Sequence, residues 1–256
     1  MSLLYPQIFT WLAHLLQVVV PVGAFVMVVP VFGNGMVSPR VKMALVFAIA
    51  MALAPTLPPP PVAYELGLGT FLQTGWQLLT GVGLGLATLA FFQIFVIAGQ
   101  FLGMQMGLGF AAMVDPGNGV QVTVWSQFFL MLVTLTYLAL NGHLATLEVL
   151  LYGLQRSPEI VSLDWAQFAQ EVAALGAWMF LGGVVISLPA VCALLIVNLA
   201  FGVMSRSAPQ LNIFSLGFPF SLLFGLVVIW LSLNSLMPQF DRLSTALLAQ
   251  LTNWVQ

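Results

Sequence analysis

Asp115 is the side chain with the clearest chemical potential, because it is an acid set within a long apolar stretch. It is the only charged residue between Glu65 and Glu148. An acid inside a membrane segment is a candidate site for protons or cations. The turn sequence Pro-Gly-Asn-Gly follows at 116–119, so Asp115 also fits a position that caps a helix end in contact with water. Capping is the favoured interpretation, and charge transport is the alternative.

The segment 99–119, which contains Asp115, is rich in glycine. Irregular backbone at membrane depth is tolerated only where other protein covers it or where it lines an aqueous path. The segment therefore indicates a pore or a gate. Gly99, Gly103 and Gly107 recur at every fourth residue and would share one face of a helix, where small residues allow close approach. They predict packing either within the chain or against other subunits.

Methionine is concentrated in the same segment, at Met104, Met106 and Met113. Methionine is flexible and fills irregular gaps in a core, which is the ordinary explanation for any one of them. Beside Phe110 and the glycines, the three also form a candidate hydrophobic seal. Such a seal would block ions and water and would yield when a large substrate passes.

Catalytic motifs do not occur in the sequence. His143 lies five residues before Glu148, which is not the spacing of a zinc hydrolase, and nucleophile elbows, phosphate-binding loops and dinucleotide fingerprints are lacking. A single cysteine, Cys192, allows no internal disulfide. We predict a protein that is not an enzyme and uses no metal and no cofactor. The alternative function is a small-solute or ion transporter with Asp115 and His143 as a proton relay.

The elements that carry these residues are apolar helices. The chain is 61% hydrophobic and 5% charged, its mean hydropathy is +1.08, and a soluble domain has about 25% charged residues. A net charge of −2 gives no support for nucleic-acid binding. Six charge-free runs are each long enough for a membrane crossing of roughly 20 residues; they are 1–39, 43–64, 66–114, 116–147, 172–205 and 207–240.

The predicted fold is all-α, with about six membrane-associated helices. We expect Pro21 to interrupt the first helix and Pro189 to kink the fifth. Pro55 and Pro58–Pro61 are expected to stop the second. Apolar residues recur every three or four positions in 239–256, which predicts an amphipathic tail helix on a membrane face or a partner. The expected helices are 8–31, 39–54, 66–98, 122–151, 165–201 and 213–236.

Three stretches resemble the FliR family of flagellar and virulence-type export-gate proteins. They are the segment 99–119, the sequence Leu-Asn-Gly-His-Leu at 140–144, and the sequence Ser-Arg-Ser-Ala-Pro-Gln-Leu-Asn-Ile-Phe-Ser-Leu-Gly-Phe-Pro at 205–219. The pattern Arg-x-x-Pro-Gln-x-Asn-x-Phe at the start of a hydrophobic helix is the most specific of them. Length, hydropathy profile and the order of the stretches agree, so the resemblance covers nearly the whole chain.

The resemblance implies a subunit of a helical channel for unfolded flagellar proteins in the bacterial inner membrane and the flagellar basal body. One copy of the chain would assemble with several FliP-like and FliQ-like subunits, in contact with membrane lipid, and an FlhB-like switch protein would bind at the cytoplasmic opening. Residues 1–200 would form the FliP-like part, and 201–238 the second half of a FliQ-like helical hairpin. Helices that are broken or kinked would suit this assembly.

The resemblance also carries site residues over by position. The pore plug corresponds to Phe110, Ala111, Ala112, Met113 and Val114, with Met104 and Met106 beside it. The turn of the plug corresponds to Asp115, Pro116 and Gly117. The loop that would face the cytoplasm and contact the partner carries Arg206, Pro209, Gln210, Asn212 and Phe214.

Overall fold

The computed structural model describes residues 4–33, 35, 37–57, 68–109, 123–156, 165–207 and 213–255. These ranges form eight α-helices and a 3-10 turn at Ala54–Thr56, and they contain no strand. The predicted all-α fold class is confirmed. The helices are α1 (Leu4–Val28), α2 (Pro30–Gly33), α3 (Pro39–Leu53), α4 (Leu68–Gln105), α5 (Val124–Ala139), α6 (Gly142–Arg156), α7 (Trp165–Ser207) and α8 (Ile213–Val255).

Among the described residues, four helical stretches are long and apolar enough to cross a membrane. The number is five if α5 and α6 count as one broken span. Three of the four have 35 to 39 residues, well beyond the roughly 20 residues that a bilayer crossing needs. The prediction of about six also counted α1 (Leu4–Val28) and a single span over α5 and α6. The four stretches are Pro39–Thr56, Phe71–Gln105, Ala166–Met204 and Gly217–Val255.

The predicted helix 122–151 is two helices, which corrects the prediction. The break lies at Asn141, whose φ is +57°. Asparagine is one of the few residues that adopts this left-handed conformation at small cost. The Asn141 carbonyl then accepts hydrogen bonds from the N–H groups of Leu144 and Ala145, at 3.0 and 3.1 Å. Asn141 therefore changes the chain direction after α5, and its carbonyl accepts the first hydrogen bonds of α6.

Proline does not divide the long helices. Pro21 lies inside α1, Pro189 inside α7, and Pro219 and Pro238 inside α8. The predicted interruption at Pro21 is therefore wrong, and α1 instead ends just before Val29. Membrane helices accept proline because neighbouring groups satisfy the backbone atoms that it leaves without partners.

The tail 239–256 is not a separate helix, because α8 continues through Pro238 to Val255. Its apolar positions have the predicted helical spacing, and Phe240, Leu247 and Leu251 are buried within the chain. The partner of this apolar face thus includes the protein itself. The predicted division at residues 200 and 238 concerns assembly with other subunits and stays a prediction.

Contacts divide the chain into two units, the first comprising Met1–Ala90, Leu140–Leu175 and Ala246–Gln256. The core of this unit contains apolar side chains of α1 and α3, including Phe25 and Val46. Phe168 packs edge-on against Trp76 and Trp254, with ring centroids 5.6 and 5.7 Å away. The end of α8 is therefore part of this core.

The second unit comprises Phe91–Ala139 and Gly176–Thr245. Its core is an aromatic cluster around Phe91, whose ring lies 5.4 Å from that of Phe240 and 5.5 Å from that of Phe95. Tyr137 packs edge-on against Phe92 at 5.1 Å. Edge-on pairs of this kind stabilise a core beyond the burial of their apolar area. This unit contains the end of α4, where the predicted seal begins.

Candidate functional site

The C-terminal end of α4 is fixed by Gly107, which has a φ of +81°. The N–H of Leu108 donates to the carbonyl oxygen of Gly103 at 2.9 Å, and the N–H of Gly107 donates to that of Met104 at 3.0 Å. This pair of bonds is a Schellman motif, which ends a helix at a left-handed residue. Among Gly99, Gly103 and Gly107, only the last interrupts the helix, so α4 extends beyond its predicted end at residue 98.

Met104 and Met106 lie in different environments. Met106 is 1% exposed and packs into a notch at Gly225, where a Cβ would come within 2.6 Å of its Cγ. It therefore fills the core, as single methionines commonly do. Met104 is 57% exposed. Of these two predicted seal residues, Met104 is the one whose side chain is exposed.

A cavity of about 400 Å³ lies at this end of α4. Phe218 covers Gly107, since a Cβ there would lie 3.1 Å from the Phe218 ring. Most of the wall is apolar, and Asn198 and Ser221 add polar groups. The end of α4 is therefore held by contacts such as that of Phe218 with Gly107, and the cavity lies beside it.

Asn198 on α7 joins α4 to α8 through hydrogen bonds. Its Nδ2 donates to the carbonyl oxygen of Gln105 at 3.2 Å. Its Oδ1 accepts from Ser221 Oγ at 2.9 Å. Gln105 is the last residue of α4, where a carbonyl has no partner in its own helix. The side chain of Asn198 satisfies that carbonyl.

The start of α5 is also attached to α4 by hydrogen bonds. Thr123 Oγ1 donates to the Gly99 carbonyl at 3.1 Å, and the Thr123 N–H donates to Gln100 Oε1 at 3.0 Å. Ser126 Oγ donates to the Val96 carbonyl at 2.8 Å. The Ser126 N–H also donates to Thr123 Oγ1 at 3.3 Å, which makes Thr123 the N-cap of α5.

Gly99 and Gly103 permit this attachment. A Cβ on Gly99 would lie 2.6 Å from the backbone N and Cα of Ser126, and one on Gly103 would lie 2.6 Å from Cβ of Thr123. Their small size is therefore used for a contact within the chain. Contact of Gly99, Gly103 or Gly107 with another subunit stays a prediction.

The residues that flank the segment 110–122 contact α4 at the same place. Leu108 bonds to the Gly103 carbonyl, and the Thr123 side chain lies against Gly103. The chain therefore leaves α4 and returns to it within about one helical turn.

Most of the predicted plug and loop lies outside the described residues. This applies to Phe110, Ala111, Ala112, Met113, Val114, Asp115, Pro116 and Gly117, and to Pro209, Gln210 and Asn212. Phe214 is in the first turn of α8, and its side chain is likewise outside the description. Arg206 is in the last turn of α7 and is exposed.

Sequence reasoning did not identify Asn198, Ser221 and Gln100. The available signal was that each is an uncharged polar residue within an apolar helix. Such residues face protein or water rather than lipid, because a polar group in hydrocarbon needs a hydrogen-bond partner. Their hydrogen-bond partners, however, are distant in sequence, so the spacing of residues along the chain did not predict them.

His143 remains near the start of α6. Its Nδ1 is buried and has no hydrogen-bond partner in the described part of the chain. Within the same ranges, no three His, Cys, Asp or Glu side chains are grouped as metal ligands. The pairing of His143 with Asp115 is not tested, because Asp115 is outside the described residues.

Residues 12–247 match the model of a protein family described as bacterial export proteins, family 1. Curated relatives match over similar lengths. The chain is 33% identical over 235 residues to a protein of Pectobacterium carotovorum subsp. carotovorum, a match that covers 91% of this chain and 89% of the relative.

Two further relatives match over similar lengths. The protein of Escherichia coli (strain K12) is 33% identical over 220 residues, covering 86% of this chain and 84% of the relative. That of Bacillus subtilis (strain 168) is 31% identical over 211 residues, covering 80% of each. All three relatives carry the name flagellar biosynthetic protein FliR.

Proposed function

The chain belongs to family 1 of the bacterial export proteins, and on that premise we propose that it is a subunit of the flagellar protein-export channel. The observation that carries the proposal is the match along nearly the whole chain to relatives named flagellar biosynthetic protein FliR. Because the family match runs from residue 12 in α1 to residue 247 in α8, and the first relative is covered over 89% of its length, the function of the whole relative is relevant. The role is structural and needs no catalytic residues.

The partners we propose are FliP-like and FliQ-like subunits, around one copy of this chain in the inner membrane. Large apolar side chains remain exposed along α7 and α8, and Ile196 and Trp230 reach 68% and 70% exposure. Contiguous exposed apolar surface marks contact with protein or lipid. Sister subunits and lipid together would cover these side chains, which include Leu181, Leu188, Leu199, Val203, Leu223 and Val227.

The seal of the closed channel is proposed to be the segment 110–114, with Met104 at its base. Hydrophobic constrictions block ions because an ion entering them loses its hydration without compensation. The attachment of both ends of 110–122 to α4 near Gly103 supports a seal that moves while the helices stay in place. Unfolded flagellar proteins would displace it on their way out of the cytoplasm.

The cytoplasmic loop 206–214 is proposed to bind an FlhB-like switch protein. Arg206→Glu is expected to weaken this binding by about fivefold, because reversing an exposed charge near an interface changes electrostatic attraction. The measurement is a binding titration of the partner against the assembled channel at two salt concentrations. Arg242→Glu, which reverses another exposed charge, is the matched control. Equal affinities for the Arg206 variant and the unmodified channel would contradict this contact.

Loss of the gene is expected to abolish flagellin secretion while flagellin still accumulates inside the cell. The measurement is flagellin in the medium and in the cell pellet, with and without a restored intact copy. Rescue by the intact copy ties the defect to this chain. Undiminished secretion in its absence would contradict the flagellar export function. It would favour the transporter alternative or a virulence-type secretion system.

A further inference from the structure

A groove of about 530 Å³ lies between α6 and the end of α8, within the first unit. α6 supplies one wall with Glu148, Tyr152 and Gln155, whose spacing of three and four residues places them on one helix face. α8 supplies the other wall with Leu248 and Thr252, which are one turn apart. A groove of this volume is large enough to bind a side chain from a partner.

The chain itself sets the shape of this groove, because α6 and α8 pack closely beside it. A Cβ at Gly153 of α6 would lie 2.8 Å from Cγ1 of Val255 in α8. Leu247 and Leu251, at the same end of α8, are 1% and 0% exposed. A partner that fits the groove therefore meets walls that are already in place.

Glu148 is the only charged residue among the described residues that line the groove. Its side chain is exposed, and it has no ion pair or hydrogen bond in the part of the chain that the structure describes. Val149, Leu151 and Leu248 make much of the surrounding surface apolar. A carboxylate in such surroundings is stabilised by a cation, since charge pairs are stronger where water is partly excluded.

The uncharged polar groups of the groove also favour a donor over an acceptor. Thr252 Oγ1 donates its hydrogen to the Leu248 carbonyl at 2.7 Å, so its oxygen can only accept a further bond. The side-chain oxygen of Gln155 is another acceptor. None of the described lining residues is Lys, Arg or His, so they offer no cation to a phosphate or a carboxylate. An anion or a zwitterionic lipid headgroup is therefore poorly matched to this groove.

We propose that the groove binds a basic side chain, lysine or arginine, of a neighbouring subunit in the assembled channel. Glu148 pairs with its charged end, and the apolar walls contact its alkyl stem, as such stems commonly pack on apolar surface. The ring of Tyr152, which is 42% exposed, is available for a cation–π contact. A metal ion is not the occupant, because one carboxylate does not supply the ligands that a hard cation needs. The inference rests on the proposed function, because it requires sister subunits.

The test uses the channel assembled in cells with its sister subunits and purified through a tag on this chain. Glu148→Lys places two cations against each other. It is expected to lower the recovery of one sister subunit, relative to this chain, by about tenfold. Glu148→Gln keeps the size of the side chain and removes its charge, and it is expected to lower the same recovery by about threefold.

Asp241→Lys is the matched control, because it makes the same charge change at another exposed acid, on α8 and outside the groove. Its recovery of sister subunits should equal that of the unmodified channel. The amount of this chain in membranes is measured in parallel, and Glu148→Gln decides if Glu148→Lys does not accumulate. Less chain with an unchanged subunit ratio would overturn the proposal, as would unchanged recovery in the Glu148 variants.

Carbodiimide crosslinking of the unmodified channel identifies the occupant, because this reagent joins a carboxylate to an amine in direct contact. The expected product for a lysine is a peptide that links Glu148 to that lysine of the sister subunit. Arginine does not react, and for an arginine its replacement by glutamate should restore recovery of the subunit in Glu148→Lys. A link from Glu148 to phosphatidylethanolamine, or neither a link nor restoration, would overturn the proposal. Sister subunits that still copurify with the unmodified chain would leave the proposed function standing.

Discussion

Deleting residues 110–114 is expected to raise the ion conductance of the assembled channel at least about tenfold and to leave assembly intact. A tenfold change corresponds to only about 1.4 kcal/mol of barrier, and an apolar constriction that strips an ion of water presents a barrier of at least that size. The increase should appear without any export substrate. It follows from the hydrophobic character of Phe110, Met113 and Val114 in the proposed seal.

Assembly should survive because the deletion does not strain the helices on either side. Leu108 and Thr123 both contact Gly103 of α4, so residues 115–122 have only a short distance to bridge. Eight extended residues reach about 26 Å, far more than one helical turn. The hydrogen bonds of Thr123 and Ser126 to α4 lie outside the deletion and keep α5 in place.

The measurement is single-channel conductance of the purified complex, with the amount of complex recovered as a second readout. Replacing 110–114 with five glycine and serine residues is the matched control for chain length. If the seal depends on apolar side chains, the glycine and serine variant should show the same increase in ion conductance as the deletion. Unchanged conductance in both variants would contradict the seal, and leak in the deletion alone would show that length rather than hydrophobicity matters.

The starts of α7 and α8 were predictable because polar turns precede Trp165 and Ile213. The end of α4 was not predictable. Composition does not distinguish a glycine that ends a helix from one that lets another helix pack closely. Gly99 and Gly103 are helical and face α5, whereas Gly107 is left-handed. That difference depends on what packs against each residue.

The predicted plug stays a prediction, because residues 110–117 lie outside the described part of the chain. The contacts that hold the end of α4 were not predictable from the sequence. The glycine- and methionine-rich pattern pointed to the end of α4, where Met104, Met106 and Gly107 do lie together. The bond from Asn198 to Gln105 joins residues 93 apart in sequence, and no local spacing encodes it. Hydrogen bonds between distant helices arise from tertiary packing, so a pattern with a period of three or four residues does not contain them.

Gly99→Leu is expected to destabilise the chain by about 3 kcal/mol or more, and to remove most of the folded protein from the membrane. A Cβ at residue 99 would lie 2.6 Å from the backbone of Ser126, and backbone does not move aside as a flexible side chain does. Overpacking alone costs about 1–3 kcal/mol. Displacing α5 would also break the bonds of Thr123 and Ser126 to α4, at about 1 kcal/mol each.

Gly75→Leu is the matched control, because it makes the same substitution in the same helix. A Cβ at Gly75 meets nothing within 4 Å, and leucine favours a helix over glycine by about 0.5–1 kcal/mol. The control should therefore accumulate at least as well as the unmodified chain. The measurement is the amount of chain in membranes and the Tm of the purified complex. Equal Tm values for the two variants would show that the close contact of α4 with α5 does not determine stability. A lower Tm for Gly99→Leu alone would show that the small residue at position 99 is needed for packing within this chain. That result would hold whether or not α4 also contacts other subunits.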